Sequence, residues 1–286
     1  MKRTPTTGLV ELHLAVLLFG LAGLFGKFLP LPAWLIVLGR TVFATLALGA
    51  VLLHRKNVRW PANLRATGLL GVLGLVLAVH WITFFHAIQV SSVAVGLLAV
   101  STFPVFITLL EPWWFGEKRR PVDGFTALLV VAGLCIMVYP SSFGGAVGAG
   151  AAWGTISGFL FAILSLLNRQ WVRQYSPVVI AFFQNAAAAL VLLPMLTTFH
   201  DAVGMGQLGL LILLGVVCTA LSHTLFIHGL TFVRAQLASI IACLEPVYGI
   251  AFAWLLLREI PSVPILAGGG VILAAALVAM HRRATV

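Results

Sequence analysis

Residues 244–260 read LEPVYGIAFAWLLLREI. The run is apolar enough to lie in a membrane, yet it opens on an acid, Glu245, and a proline, Pro246, whose missing N–H removes one helical hydrogen bond and distorts the turn before it. In lipid the freed carbonyl is tolerable only against protein or a water-filled cavity. What this stretch means therefore depends on the solvent around the chain.

Composition answers that question. Of 286 residues, 61% are hydrophobic and only 8% charged, with a mean hydropathy of +1.11. A water-soluble chain of this length needs far more charge to cover its surface. The apolar stretches repeatedly exceed the ~18 residues that mark a spanning helix. Ten spans are predicted, at residues 9–28, 33–53, 64–86, 91–113, 122–139, 147–168, 177–197, 206–229, 235–257 and 262–281. The breaks between them are short turn-forming or charged segments, which leave little room for a soluble domain. Glu11 and His13 stand inside the first run and no small-residue cleavage pattern follows it, so it reads as a retained helix and not a signal peptide.

Basic loops stay on the cytoplasmic side. With the amino terminus inside, 14 of the 17 basic residues fall there: Lys2, Arg3, Arg55, Lys56, Arg59, Arg65, Lys118, Arg119, Arg120, Arg169, Arg173, Arg234, Arg282 and Arg283. Lys27 and Arg258 fall outside, and Arg40 lies within the second span. Both termini are thus expected in the cytoplasm. The net charge of +10 follows from this bias, so it speaks for topology and against a nucleic-acid partner. Cys135, Cys218 and Cys243 lie in apolar runs without C-x-x-C spacing, which argues against a disulfide framework or a metal site; they read as packing residues. The string Gly204-Met205-Gly206-Gln207-Leu208-Gly209 matches G-x-G-x-x-G, but it follows no strand and carries no nucleotide-binding meaning.

Shifting the chain by 142 positions superposes Phe19 on Phe161, Lys27 on Arg169, Phe84 on Phe226, His86 on His228, Pro104 on Pro246, Val105 on Val247 and Glu117 on Glu259, without a gap. Spans one, three and four match six, eight and nine; Pro32 against Pro177 needs three further residues. Each half holds five predicted helices, an odd number, so the second copy enters the membrane upside down. The expected fold is an all-α integral membrane protein of two inverted five-helix repeats, residues 1–145 and 146–286. That is the architecture of alternating-access carriers, whose site lies between the copies near the midplane. Pro104 and Pro246 then mark paired helix kinks facing the common centre.

These residues also resemble a known family. Glu245-Pro246-Val247, Leu257-Arg258-Glu259 and Gly268-Gly269-Gly270-Val271-Ile272-Leu273 look like the end of the EamA repeat of the drug/metabolite transporter superfamily. The first half repeats the pattern as Phe103-Pro104-Val105, Gly116-Glu117 and the helix containing Gly133, while Phe19-Gly20 with Lys27 looks like the opening of that repeat. Arg40 sits where its second helix often carries arginine. Within the superfamily, the chain looks most like bacterial exporters of aromatic and other neutral amino acids of the YddG kind. That resemblance implies a multi-pass protein of the bacterial inner membrane. The related four-helix multidrug exporters carry a proton-coupling glutamate eight residues before the first-helix lysine; that position is Phe19 here, which speaks against proton antiport by that route. Glu11, near the cytoplasmic end of the same helix, is expected to snorkel to the interface.

Polar and aromatic residues without reason to face lipid sketch the substrate site: His80, Trp81, Thr83 and Phe84 in the third span, Ser101 in the fourth, Trp153 and Ser157 in the sixth, Gln184 beside Asn185 in the seventh, His223 in the eighth, and Glu245 and Tyr248 in the ninth. Under the shift, His223 falls on Trp81. Aromatic walls with sparse polar groups suit a small amphipathic ligand. Glu245 reads either as a structural ion-pair partner or as a contact for a substrate amine, because a carboxylate at this depth must be paired, hydrated or protonated. Lys27 and Glu259 are expected outside and Arg169 and Glu117 inside. They are either gating charges that pair across the repeats or snorkelling helix-end charges.

No nucleophile-and-base set and no metal motif is present, which argues against an enzyme, and no cofactor or metal is expected. The reading is a carrier that exports small amphipathic metabolites, amino acids including aromatic ones. A multidrug or nucleotide-sugar transporter of the same superfamily is the alternative. Facilitated diffusion, exchange and proton coupling stay open, as do monomer and homodimer.

Overall fold

A run of ~20 residues in lipid satisfies its backbone N–H and C=O groups within itself only as a helix. The computed structural model describes residues 5–55, 58, 60, 61, 63–115, 121–139, 145–171, 174–229 and 241–281, and every regular element among them is helical. In chain order these are α1 (Pro5–Phe28), α2 (Ala33–Leu53), α3 (Leu64–Val90), α4 (Val93–Val100), α5 (Phe103–Phe115), α6 (Pro121–Val138), α7 (Ala146–Trp171), α8 (Pro177–Leu192), α9 (Met205–Gly215), α10 (Ser222–Gly229), α11 (Glu245–Phe252) and α12 (Val263–His281). A 3₁₀ turn, Leu193–Thr198, extends α8. Two π-helical stretches, Val216–Leu221 and Ala253–Leu257, join α9 to α10 and prolong α11.

Seven segments of the described chain are long and apolar enough to cross a membrane. The runs read as the fifth, ninth and tenth spans carry shorter apolar helices, Gly124–Val138, Glu245–Leu257 and Val263–Ala275. The first part of the ninth run lies outside the described residues. The distortion expected at Pro104 and Pro246 takes the form of a break. Ser101-Thr102 separates α4 from α5, and Cys243-Leu244 precedes α11, so each proline sits in the first turn of a new segment. There its missing N–H is one that a helix leaves unpaired anyway.

Leu24, Phe25, Ile36, Leu73, Leu77 and Phe85 anchor the largest core cluster, which joins α1, α2 and α3 to α8 and α9. Helix α1 lies against α10 and α11, and α7 against α3, α4 and α5; α2 packs on α8 and α9, α3 on α8, and α6 on α12. Glycines permit close crossings here. A Cβ on Gly133 would come within 2.8 Å of the Gly268 carbonyl oxygen, and one on Gly20 within 2.8 Å of the Gly249 nitrogen. Small residues let backbones approach in this way where lipid supplies no hydrophobic drive between helices.

Two ends of the bundle are tied differently. The turn between α3 and α4 collects several elements: Lys27 Nζ, at the end of α1, donates to Ser91 O at 2.8 Å, and Gly150, in the first turns of α7, abuts Ser91 and Ala87. Helix α1 therefore ends where α7 begins. Its other end meets the end of α10, where Gly8 O lies 3.1 Å from a Cβ built on Gly229 and the Glu11 carboxylate is 2.8 Å from His228 Nδ1.

Candidate substrate site

The centre of the bundle is built from one deeply buried cation and a chain of rings. Arg40, on α2, is 2% exposed, and its guanidinium carbon stands 3.7 Å from the centroid of the Trp81 ring. The π-helical stretch after α9 places its polar partner. The Thr219 hydroxyl donates five residues back to Leu214 O at 2.8 Å and accepts Arg40 Nε at 3.1 Å. Such wide turns are rare and gather at functional sites. Trp81 then meets His223 at 5.6 Å between centroids, and His223 meets Phe19 edge-on at 5.3 Å. Glu245 is partly buried at the start of α11, and its backbone oxygen lies 2.9 Å from a Cβ built on Gly20, the neighbour of Phe19. Among the described residues Glu245 and Arg40 form no ion pair.

His80 occupies a different setting. Its Nδ1 lies 2.8 Å from Ser157 Oγ and 2.9 Å from Ser157 O, while Ser157 Oγ donates to His80 O at 2.9 Å. A proton on Nδ1 satisfies this set, joining α3 to α7 through a closed loop of hydrogen bonds. The same ring stacks on Phe161 at 5.1 Å, and Phe161 takes the edge of Phe103 at 4.9 Å.

Of the residues expected at the site, the structure thus joins Trp81 and His223 beside Arg40, brings Glu245 to the Phe19 end of the same chain of rings, and sets His80 with Ser157 next to them. Others stand apart. The Thr83 hydroxyl donates to His80 O and Val79 O on its own helix, Ser101 does likewise to Leu97 O, and Phe84 packs in the core against Phe85. Gln184 donates to Asn168 Oδ1 at 2.6 Å, a bond between neighbouring helices. Trp153 is 39% exposed near the start of α7 and meets the edge of His86. The Tyr248 hydroxyl lies 3.3 Å from His13 Nδ1, toward the amino-terminal end of α1. Lys27 and Glu259 do not pair with each other; Lys27 caps the carboxy end of α3, and Glu259 Oε1 accepts Ala94 N–H, 3.5 Å away, at the amino end of α4. Glu117 and the side chain of Arg169 lie outside the described residues. Glu11 does not merely snorkel: its carboxylate is held by His228, because the packing of α1 on α10 brings that imidazole to it.

Arg40 is the central residue that sequence reasoning did not place at the site. Its signal was present as a lone guanidinium inside an otherwise apolar span. What was missing was the partner face, which only the packing of α2 on α9 supplies.

Two consecutive stretches of the chain, residues 6–139 and 148–280, match the EamA-like transporter family. The chain belongs to that family. It is therefore a multi-pass membrane transporter and not an enzyme. Among its relatives are the uncharacterized transporter YxxF of Bacillus subtilis, 23% identical over 87% of this chain and 81% of that protein, and an uncharacterized transporter of Archaeoglobus fulgidus, 30% identical over 69% and 70%. The pseudopaline exporter CntI of Pseudomonas aeruginosa is 26% identical over 88% of this chain and 87% of its own. These relatives mark the family at large, not an amino-acid-exporting branch of it. A crystal structure of another protein superposes with a TM-score of 0.66 at 20% identity, covering 99% of this chain and 100% of that one, which shows a shared fold.

Proposed function

We propose that this EamA-family protein is an alternating-access exporter of small amphipathic metabolites, amino acids including aromatic ones, in a bacterial inner membrane. In this reading residues 1–145 and 146–286 are inverted five-helix repeats with both termini cytoplasmic. The observation that carries it is the contact of Trp81 with His223. The two are equivalent under the repeat shift, so the axis relating the halves passes between them, beside Arg40 and Glu245. Packing supports the same reading, since α1 lies on α10 and α11 as α7 lies on α3, α4 and α5. The paired family matches and the shared end of α1 and start of α7 agree with it as well. Rings of this kind bind the apolar part of a ligand, and the few polar groups orient it.

Lys27 and Glu259 act in this scheme as helix-end caps that hold the outer α3–α4 turn closed, the favourable charges for a helix carboxy end and amino end respectively. A nucleotide-sugar carrier of the same superfamily is the competing reading, favoured by the buried Arg40. One guanidinium with Glu245 nearby suits a single carboxylate better than a pyrophosphate. Counterflow in proteoliposomes preloaded with mixed unlabelled amino acids tests the proposal, with labelled phenylalanine, threonine and glutamate as probes, with and without a pH gradient. Phenylalanine accumulation without a gradient is expected. Uptake of a lipophilic cation or sugar nucleotide in place of every amino acid would refute it.

A further inference from the structure

Arg40 holds a charge that the protein itself leaves uncompensated. The side chain is 2% exposed, yet among the described residues only Thr219 accepts from it, through Nε, and no carboxylate pairs with it. Its terminal nitrogens are not sealed in as unsatisfied groups, for the single buried side-chain polar atom without a partner among the described residues is Asn185 Oδ1. The guanidinium ends therefore keep some accessible surface. A guanidinium presents five N–H donors in a planar fork shaped for a carboxylate, and a buried charge of this kind is costly until an anion meets it. The Trp81 ring at 3.7 Å and the Phe85 ring at 5.5 Å hold the cation in place without using those donors.

We propose that Arg40 is an anion subsite that takes the carboxylate of the transported solute, its apolar portion lying on Trp81, His223 and Phe19 and its cationic portion toward Glu245. This rests on the exporter reading above and narrows its substrate class to carboxylate-bearing amphipathic solutes. The anchor is single. The offset that aligns Pro32 with Pro177 aligns Arg40 with Asn185, so the second half presents a neutral amide, 1% exposed, at the equivalent place. A substrate with one carboxylate is therefore held in one orientation.

The test uses the purified full-length protein and three matched probes: L-phenylalanine, 3-phenylpropionate, which lacks the amine, and phenethylamine, which lacks the carboxylate. Ligand-induced shifts in melting temperature are titrated for the wild type, Arg40→Lys and Arg40→Gln, and counterflow of labelled phenylalanine is run on the same preparations. The wild type is expected to bind both carboxylates at least ~10-fold more tightly than phenethylamine, the scale of a charge-assisted hydrogen-bond pair. Arg40→Gln is expected to erase that preference and Arg40→Lys to keep part of it. Phenethylamine binding as tightly as phenylalanine, no shift with either carboxylate, or a wild-type preference in Arg40→Gln would each overturn the subsite. If Arg40→Gln does not fold, the wild-type comparison alone decides. Failure of the amino-acid reading looks different: 3-phenylpropionate binds in an Arg40-dependent way while phenylalanine neither binds nor is carried. Phenylalanine carried equally by wild type and Arg40→Gln would instead sink the subsite and leave that reading intact.

Discussion

His80 and His223 both neighbour the Trp81 ring, and the protein uses them in opposite ways. Ser157 grips His80 through three hydrogen-bond contacts, and Phe161 stacks on it. His223 has ring neighbours on two sides, Trp81 and Phe19, and no hydrogen bond to its ring among the described residues. A polar group buried without a partner is expensive, so His80 is satisfied by the fold itself whereas the polar edge of His223 remains for water or a ligand. Chemically identical side chains thus become scaffold and surface through what the neighbouring helix offers: Ser157 from α7 in one case, Phe19 from α1 in the other.

That contrast can be broken most forcefully at the scaffold. His80→Ala is expected to destabilise the protein by about 3 kcal/mol, since it removes a large buried ring together with the Nδ1 contacts to Ser157, although Ser157 Oγ keeps its bond to the residue 80 carbonyl. Thermal melting in detergent measures this, and a loss below about 1 kcal/mol would make His80 no more structural than His223. Ser157→Ala should cost about 1–2 kcal/mol, because the hydroxyl goes while Ser157 O still accepts from Nδ1. His223→Leu keeps the apolar volume and is expected to change melting by less than about 1 kcal/mol, while lowering phenylalanine counterflow on the order of 10-fold. Equal damage to melting and transport would erase the distinction. The smallest effect belongs to the caps at the α3–α4 turn. Lys27→Met should cost about 0.5 kcal/mol through the carboxy end of α3, and if the cap holds the outer face closed, it should raise thiol labelling of a Ser92→Cys reporter added from outside.

The sequence carried the helices well because each apolar run must close its own hydrogen bonds; the second run, 33–53, is α2 residue for residue. A distortion at Pro104 and Pro246 was legible from proline chemistry, but that it breaks the helix there was not. The shift of 142 made Trp81 and His223 equivalent positions of the two halves, but their contact came only from the structure. Side-chain direction was not legible. A helix with lipid on one face and protein on others shows no polar stripe to orient it, so Trp153 and Gln184 read like cavity residues although one meets His86 and the other Asn168. The Glu11–His228 pair joins residues 217 apart in the chain, and nothing local announces it. The π-helical stretch that places Thr219 beside Arg40 has no sequence signal of comparable strength to a proline.

The most direct test of a central route between the halves is thiol accessibility at its two histidine neighbourhoods. In a background with Cys135, Cys218 and Cys243 replaced by alanine, His223→Cys and Ser157→Cys proteins in oriented vesicles are exposed to a small membrane-impermeant thiol reagent, with and without phenylalanine. The account predicts labelling at position 223 that phenylalanine slows, and no labelling at 157. Labelling at 157 as fast as at 223, or a rate at 223 that no amino acid changes, would contradict it.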